Sequence, residues 1–210
     1  MRSFRDIEKY LDDVEPILID LKIGLFNSKY LGTLENDDEI WASKHGFFVN
    51  YVSQMKFVCS IQLCKVLDDN ENQRLNYFRF LRRIESDFRI KERKEDVFYS
   101  RKEKFFYENL KDINTKIPSI ILVIREKLAG KEVLIRKLKD ARNKIYAHTD
   151  PTGKDKFISL KEVYDLSILA VDIYNILNEE FTFTTFKLEK FEPWSPKWII
   201  ERIAKTRNIV

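Results

Sequence analysis

The residues 141–150 read ARNKIYAHTD, and three of them, Arg142, Asn143 and His148, are of the types that cut RNA without a metal. A ribose 2′-hydroxyl attacking its own 3′-phosphate needs one proton removed and another delivered to the leaving oxygen. It also needs charge stabilised on the phosphate oxygens. Histidine titrates near neutrality and can move the protons. A guanidinium, always charged, can hold two phosphate oxygens at once. The remaining sequence offers little else for catalysis. It has two histidines and two cysteines, and it lacks a glycine-rich phosphate loop, a CxxC pair, an HExxH helix and a GxSxG elbow. Zinc and nucleotide-fold chemistry are therefore disfavoured, and no metal or cofactor is expected.

On an ideal helix over 131–148, Val133, Leu134, Leu138, Ala141 and Ile145 form one apolar stripe. Arg142 and His148 fall on its opposite margins, and Asn143 points away from it. The Arg/His pair is separated by about 9 Å along the axis. One phosphate reaches both only if the side chains converge, the helix ends early, or a second copy contributes across a dimer seam. The structural alternative stays open: a histidine at a helix end often caps carbonyls, and an arginine there often pairs with an acid such as Asp140 or Asp150.

These residues must be positioned by helices. Five glycines and five prolines in 210 residues are few, which favours long helices over a turn-rich β architecture. Apolar spacing predicts a helix over 3–26, with Pro16 as a kink or late start, and a central helix over 37–67 that is apolar around most of its circumference. A shorter helix is expected over 71–86, and another from about 105 to 128 with a kink at Pro118. The motif helix follows over 131–148, stopped by Asp150, Pro151 and Gly153. A last core helix over 159–181 should turn Val163, Tyr164, Ser167, Val171 and Tyr174 inward. Residues 182–191 alternate threonine and phenylalanine in part and could lie extended on the bundle, with Ser195 and Pro196 starting a final short helix. The expectation is an all-α bundle with a short C-terminal appendage: a helical domain over 1–181 and an extension over 182–210 packed on it.

Cys59 and Cys64, five apart on one helix, stand too far from each other for a disulfide. The first twenty residues alternate charged and apolar types and no run of about 18 apolar residues is present, so a cytoplasmic protein without membrane contact is expected. Charge is uneven. Residues 74–104 carry eleven Lys and Arg against six Asp and Glu, whereas residues 1–73 carry eight against thirteen. Arg79, Arg82 and Arg83, with Lys144 beside the motif, are the candidates for binding RNA phosphates, although a solvated basic surface explains such a stretch equally. Trp194, Trp198 and the basic residues near them could stack on and neutralise RNA, or simply pack the last helix. His45, next to Gly46 at the head of the central helix, reads as structural.

The string ARNKIYAHTD resembles the signature of HEPN domains, in which an Arg, often followed by a polar residue, precedes a His by four to six positions. Five residues separate Arg142 from His148 here. With the upstream stretch LCKVLDDNENQRLNYFRFL, the chain resembles the abortive-infection, AbiU-type subgroup over roughly 41–181. The resemblance implies a helical bundle that dimerises and places two motifs in one cleft. It also implies a metal-independent endoribonuclease of a defence or toxin and antitoxin system, with an antitoxin or defence-system partner, or else a non-catalytic module that binds RNA or a protein. Arg142, Asn143 and His148 take the motif positions. In HEPN toxins silenced by modification of a Tyr two residues after the His, that Tyr is essential; here the position is Asp150, and Tyr146 precedes the His.

Overall fold

The computed structural model describes residues 3–86, 100–143, 158–186 and 195–207. Among these it contains nine helices and no strand: α1 (Phe4–Gly32), α2 (Asp37–Ser43), α3 (Gly46–Leu67), α4 (Tyr77–Ser86), α5 (Arg101–Glu108), α6 (Leu110–Ala129), α7 (Glu132–Ala141), α8 (Leu160–Thr182) and α9 (Lys197–Ala204). The all-α class expected from the periodicity is what the chain adopts.

Helix α1 starts at a capping box in which Ser3 Oγ accepts from the Asp6 amide and the Asp6 carboxylate accepts from the Ser3 amide. Its buried stripe is the one the spacing predicts: Ile7, Leu11, Val14, Leu18 and Leu21. The helix runs through Pro16 and on to Gly32 instead of ending near residue 26. Pro16 lies on the exposed side, where water can satisfy the carbonyl that the missing N–H leaves free.

The expected single helix over 37–67 is two. Asn36 caps α2 through Oδ1. His45 then leaves the helical path, and its Nδ1 accepts from the Phe47 amide at 3.3 Å to start α3. His45 is thus a cap, in keeping with its structural reading. Helix α3 is less enclosed than its apolar circumference implies. Phe48, Leu63, Cys64, Val66 and Leu67 are buried, but Phe47 and Val49 are more than half exposed.

Helix α4 begins at Tyr77 because residues 68–76 fold into a turn instead of helix. The buried Asn76 donates through Nδ2 to the carbonyls of Asn70 and Gln73, and its Oδ1 accepts from the Arg79 amide. Its side chain competes with helical bonding and caps the next helix. The 105–128 segment also divides, at Asn109 and not at Pro118, which sits exposed within α6. Helix α8 opens on a second capping box, Ser159 with Glu162, and buries Val163, Ser167, Val171 and Tyr174, while Tyr164 faces outward.

One large apolar core joins α1, α3, α4, α6, α7 and α8. A smaller cluster of Ala42, Phe48, Ile200 and Ala204 seats α9 against α2, where Arg207 pairs with Asp38 at 2.8 Å and lies 5.7 Å from the Trp41 ring. After α8 the chain turns at Phe183, which adopts φ 60, and Phe186 then exchanges two backbone hydrogen bonds with the Asn175 amide group. Residues 183–186 therefore lie along the bundle without helix, as expected for that part of the tail. The remainder of 182–191, from residue 187, lies outside the described residues.

The closest approach in the core is between α1 and α3. A Cβ built on Gly24 would stand 2.6 Å from Cys59 Sγ. Alanine ordinarily favours a helix over glycine by about 1 kcal/mol, but here overpacking outweighs it. Gly24→Ala is expected to destabilise by roughly 1–3 kcal/mol in urea unfolding, and adding Cys59→Ala to the same chain should restore most of the loss. A single Gly24→Ala variant more stable than wild type would show that the contact is not tight.

Candidate active site

The motif helix ends earlier than its periodicity implies. Leu138 and Ala141 of α7 are buried against the core, but Val133, expected on the same stripe, is 71% exposed. Beyond Ala141 the backbone widens into an i→i+5 turn that carries Arg142 and Asn143. Such a widening re-aims side chains that a regular helix would place elsewhere.

Arg142 is aimed at the end of α3. Its NH1 stands 2.8 Å from Asp68 Oδ2, and Lys139, one turn back on α7, places Nζ 3.0 Å from Asp68 Oδ1. The Asp68 side chain is 2% exposed and that of Arg142 20%. Sequence reasoning sought the acid partner of Arg142 at Asp140 or Asp150; the partner is Asp68. Asp68 is also the C-terminal cap of α3, with its amide bonded to the Cys64 carbonyl. There the exposed carbonyls of the last turn repel a carboxylate. The two cations offset both that repulsion and the cost of burial. The Arg142 contact is ionic and off the N–H line, so Oδ2 has no aligned hydrogen bond.

Asn143 completes the grip on Arg142. Its Oδ1 accepts from Nε at 3.0 Å and NH2 at 2.8 Å. The side chain expected to point away from the seam thus folds back onto the guanidinium. His148 and Lys144, with Tyr146 and Asp150, lie outside the described residues.

The other candidate arginines divide. Arg79 donates to the Glu71 carbonyl at 2.9 Å and Arg82 pairs with Asp69 at 2.8 Å. Both brace the turn that starts at Asp68. Arg83 is exposed on α4. Arg142 itself opens onto a cleft of about 500 Å³, walled by Ile61, Cys64 and Lys65 of α3 and by the turn residues Asn72, Gln73 and Leu75.

Cys64 does not supply a nucleophile to this cleft. Burial pushes its thiol up to about 12, Asp68 adds to the rise, and Arg142 and Lys139 offset only part of it. Burial raises Cys59 likewise, to about 12. Both cysteines are free. Among the described residues, no three His, Cys, Asp or Glu side chains converge to hold a metal ion, and no helix is long and apolar enough to cross a membrane.

Sequence reasoning missed Asp68 and Lys139. Asp68 was legible only as a helix end, and no periodicity in one sequence pairs the end of one helix with the end of another far along the chain.

The family model of AbiU2, a HEPN domain, matches residues 55–194, about two thirds of the chain, including both Asp68 and Arg142. The chain belongs to the AbiU2 family of HEPN domains. No curated protein and no solved structure matches it. The matched stretch of this AbiU2 chain opens within α3 and closes beyond α8, so α1, which packs along α3, and the α2/α9 pair lie outside it.

Removing the carboxylate leaves two cations without their shared anion, but both are partly exposed and water can reach them. Asp68→Ala is therefore expected to cost about 2 kcal/mol, below the 3–5 typical of a fully buried broken pair. A double-mutant cycle with Arg142→Ala should give a coupling above roughly 1 kcal/mol in urea unfolding. Additive effects would show that the pair does not join α3 to α7.

Proposed function

We propose that this AbiU2 chain is a metal-independent endoribonuclease of a defence or toxin and antitoxin system, acting in the cytoplasm as a homodimer. In this reading residues 1–181 form the HEPN-like unit and residues 182–210 an extension laid on it. The observation that carries the reading is the guanidinium of Arg142, fixed by Asp68 and Asn143 yet still reaching an open cleft. A cation held in place before substrate arrives costs no reorganisation when charge develops on a phosphate.

The reaction follows from the residue types. The 2′-oxygen attacks the adjacent phosphorus as His148 of one copy takes its proton. The bond to the 5′-oxygen breaks, and that oxygen receives a proton from His148 of the second copy. Arg142 stabilises the phosphorane oxygens, and Asn143 keeps Arg142 oriented. The products are a 2′,3′-cyclic phosphate and a 5′-hydroxyl. The outward-facing Val133 on α7 supports pairing with a second copy along the helix that precedes the motif.

A second reading has one specific observation in its favour. Three donor nitrogens of Arg142 are already engaged within the protomer, NH1 by Asp68 and Nε and NH2 by Asn143. That arrangement also suits a structural arginine in a non-catalytic module that binds RNA or a protein partner.

Purified protein incubated with labelled single-stranded RNA and with tRNA in excess chelator separates the two. The wild type is expected to cut, and His148→Ala to lose roughly 10²–10⁴ in rate while keeping its helical circular dichroism. If the wild type binds RNA without cutting, or His148→Ala cuts equally well, the enzymatic reading is wrong.

A further inference from the structure

The cleft at Arg142 does not end at the turn. A second depression of about 360 Å³, lined by Asp6, Lys9, Tyr10 and Arg83, shares three residues with it: Asp13, Arg74 and Leu75. The two form one groove running from the end of α7 across the 68–76 turn to the side of α4 and the first turns of α1. Each part lies in the size range of small-ligand sites, roughly 300–1,000 Å³. Five cations line the groove, Lys9, Lys65, Arg74, Arg83 and Arg142, against the two carboxylates of Asp6 and Asp13.

Its arginines are held in different ways. Arg142 is fixed by a carboxylate out of contact with water. Arg74 sits at the junction, 3.0 Å from Asp13, and both partners are well exposed, at 67% and 39%. An exposed pair of this kind contributes little, about 0–1 kcal/mol, so an arriving phosphate can draw Arg74 off Asp13. Between the two arginines the turn offers groups suited to a base. Its backbone is fastened from within: Asn70 accepts from the Asn72 amide through Oδ1 and from the Gln73 amide through its carbonyl. The carboxamides of Asn72 and Gln73 line the cleft beside the apolar Ile61 and Leu75. Carboxamides pair with donor and acceptor edges of unstacked bases, and apolar side chains cover their faces.

We infer that this groove is a track for single-stranded RNA within one protomer. The base beside the scissile phosphate sits against Asn72 and Gln73, the phosphate beyond it displaces Asp13 from Arg74, and the next phosphate meets Lys9 and Arg83. This deepens the proposed ribonuclease function and rests on it. The track makes Asn72 and Gln73 the specificity-determining residues and Asp13 an internal competitor of the substrate.

Binding of a fluorescein-labelled, fully 2′-O-methylated single-stranded oligonucleotide, which cannot be cut by its own 2′-oxygen, tests the track separately from catalysis. Anisotropy titrations over a range of salt are expected to show Arg74→Ala and Arg83→Ala binding roughly tenfold more weakly, each with a salt slope smaller by about 0.7. Lys161→Ala, on the exposed face of α8, should bind as wild type. Asp13→Asn, which removes the competing carboxylate, should bind about threefold more tightly; this gain cannot come from misfolding. If the wild type binds but the two arginine variants match it and Asp13→Asn gives no gain, the track is wrong and the ribonuclease reading stands. If the wild type binds no RNA, both fall.

Discussion

A carboxylate with almost no contact with water, at the C-terminal end of a helix, is stable only where cations are brought to it. Asp68 is such a group, and Lys139 and Arg142 are the cations. Because Asp68 caps α3 while both cations belong to the end of α7, this contact fixes where one helix stops relative to the other. It also sets the start of the 68–76 turn, which Asn76, Arg79 and Arg82 brace from the α4 side. The wall of the cleft, the aim of Arg142 and the beginning of α4 follow from one buried charge.

The same contact separates fixed from movable positive charge. Arg142 is oriented from two sides before any ligand arrives, whereas Arg74 is tied only to a well-exposed acid. In phosphate chemistry these suit different tasks: a fixed guanidinium stabilises charge that develops during reaction, and a loosely held one exchanges its partner for an incoming phosphate. Cys64 borders the cleft as a neutral thiol, so the site's chemistry falls to nitrogen bases and guanidinium groups.

Much of the fold can be read from the sequence because burial writes itself as period. The stripes of α1, α6 and α8 appear in their residue spacing, and Ser159 with Glu162 marks the start of α8 directly. Breaks that depend on single polar side chains are less visible. Asn76 and His45 each end a helical pattern by offering the backbone a side-chain partner, and apolar periodicity continues past both. The site shows the same division. Arg142 and Asn143 stand out by type and spacing, but Asp68 and Lys139 become partners only when α3 and α7 are packed together. The prolines misled in the opposite sense: Pro16 and Pro118 lie on exposed helix faces, where a lost hydrogen bond costs little, so neither marks an end.

Family membership makes RNA cleavage a natural reading, and the fixed guanidinium gives it a physical basis. Whether the chemistry is 2′-hydroxyl attack at an Arg/His site is written in the ends of the RNA it leaves. Mass spectrometry of oligonucleotides cut in the presence of chelator should find 2′,3′-cyclic phosphate on one fragment and 5′-hydroxyl on the other. Fragments ending in 3′-hydroxyl and 5′-phosphate would mean that water, not the ribose, is the nucleophile, and would contradict the account.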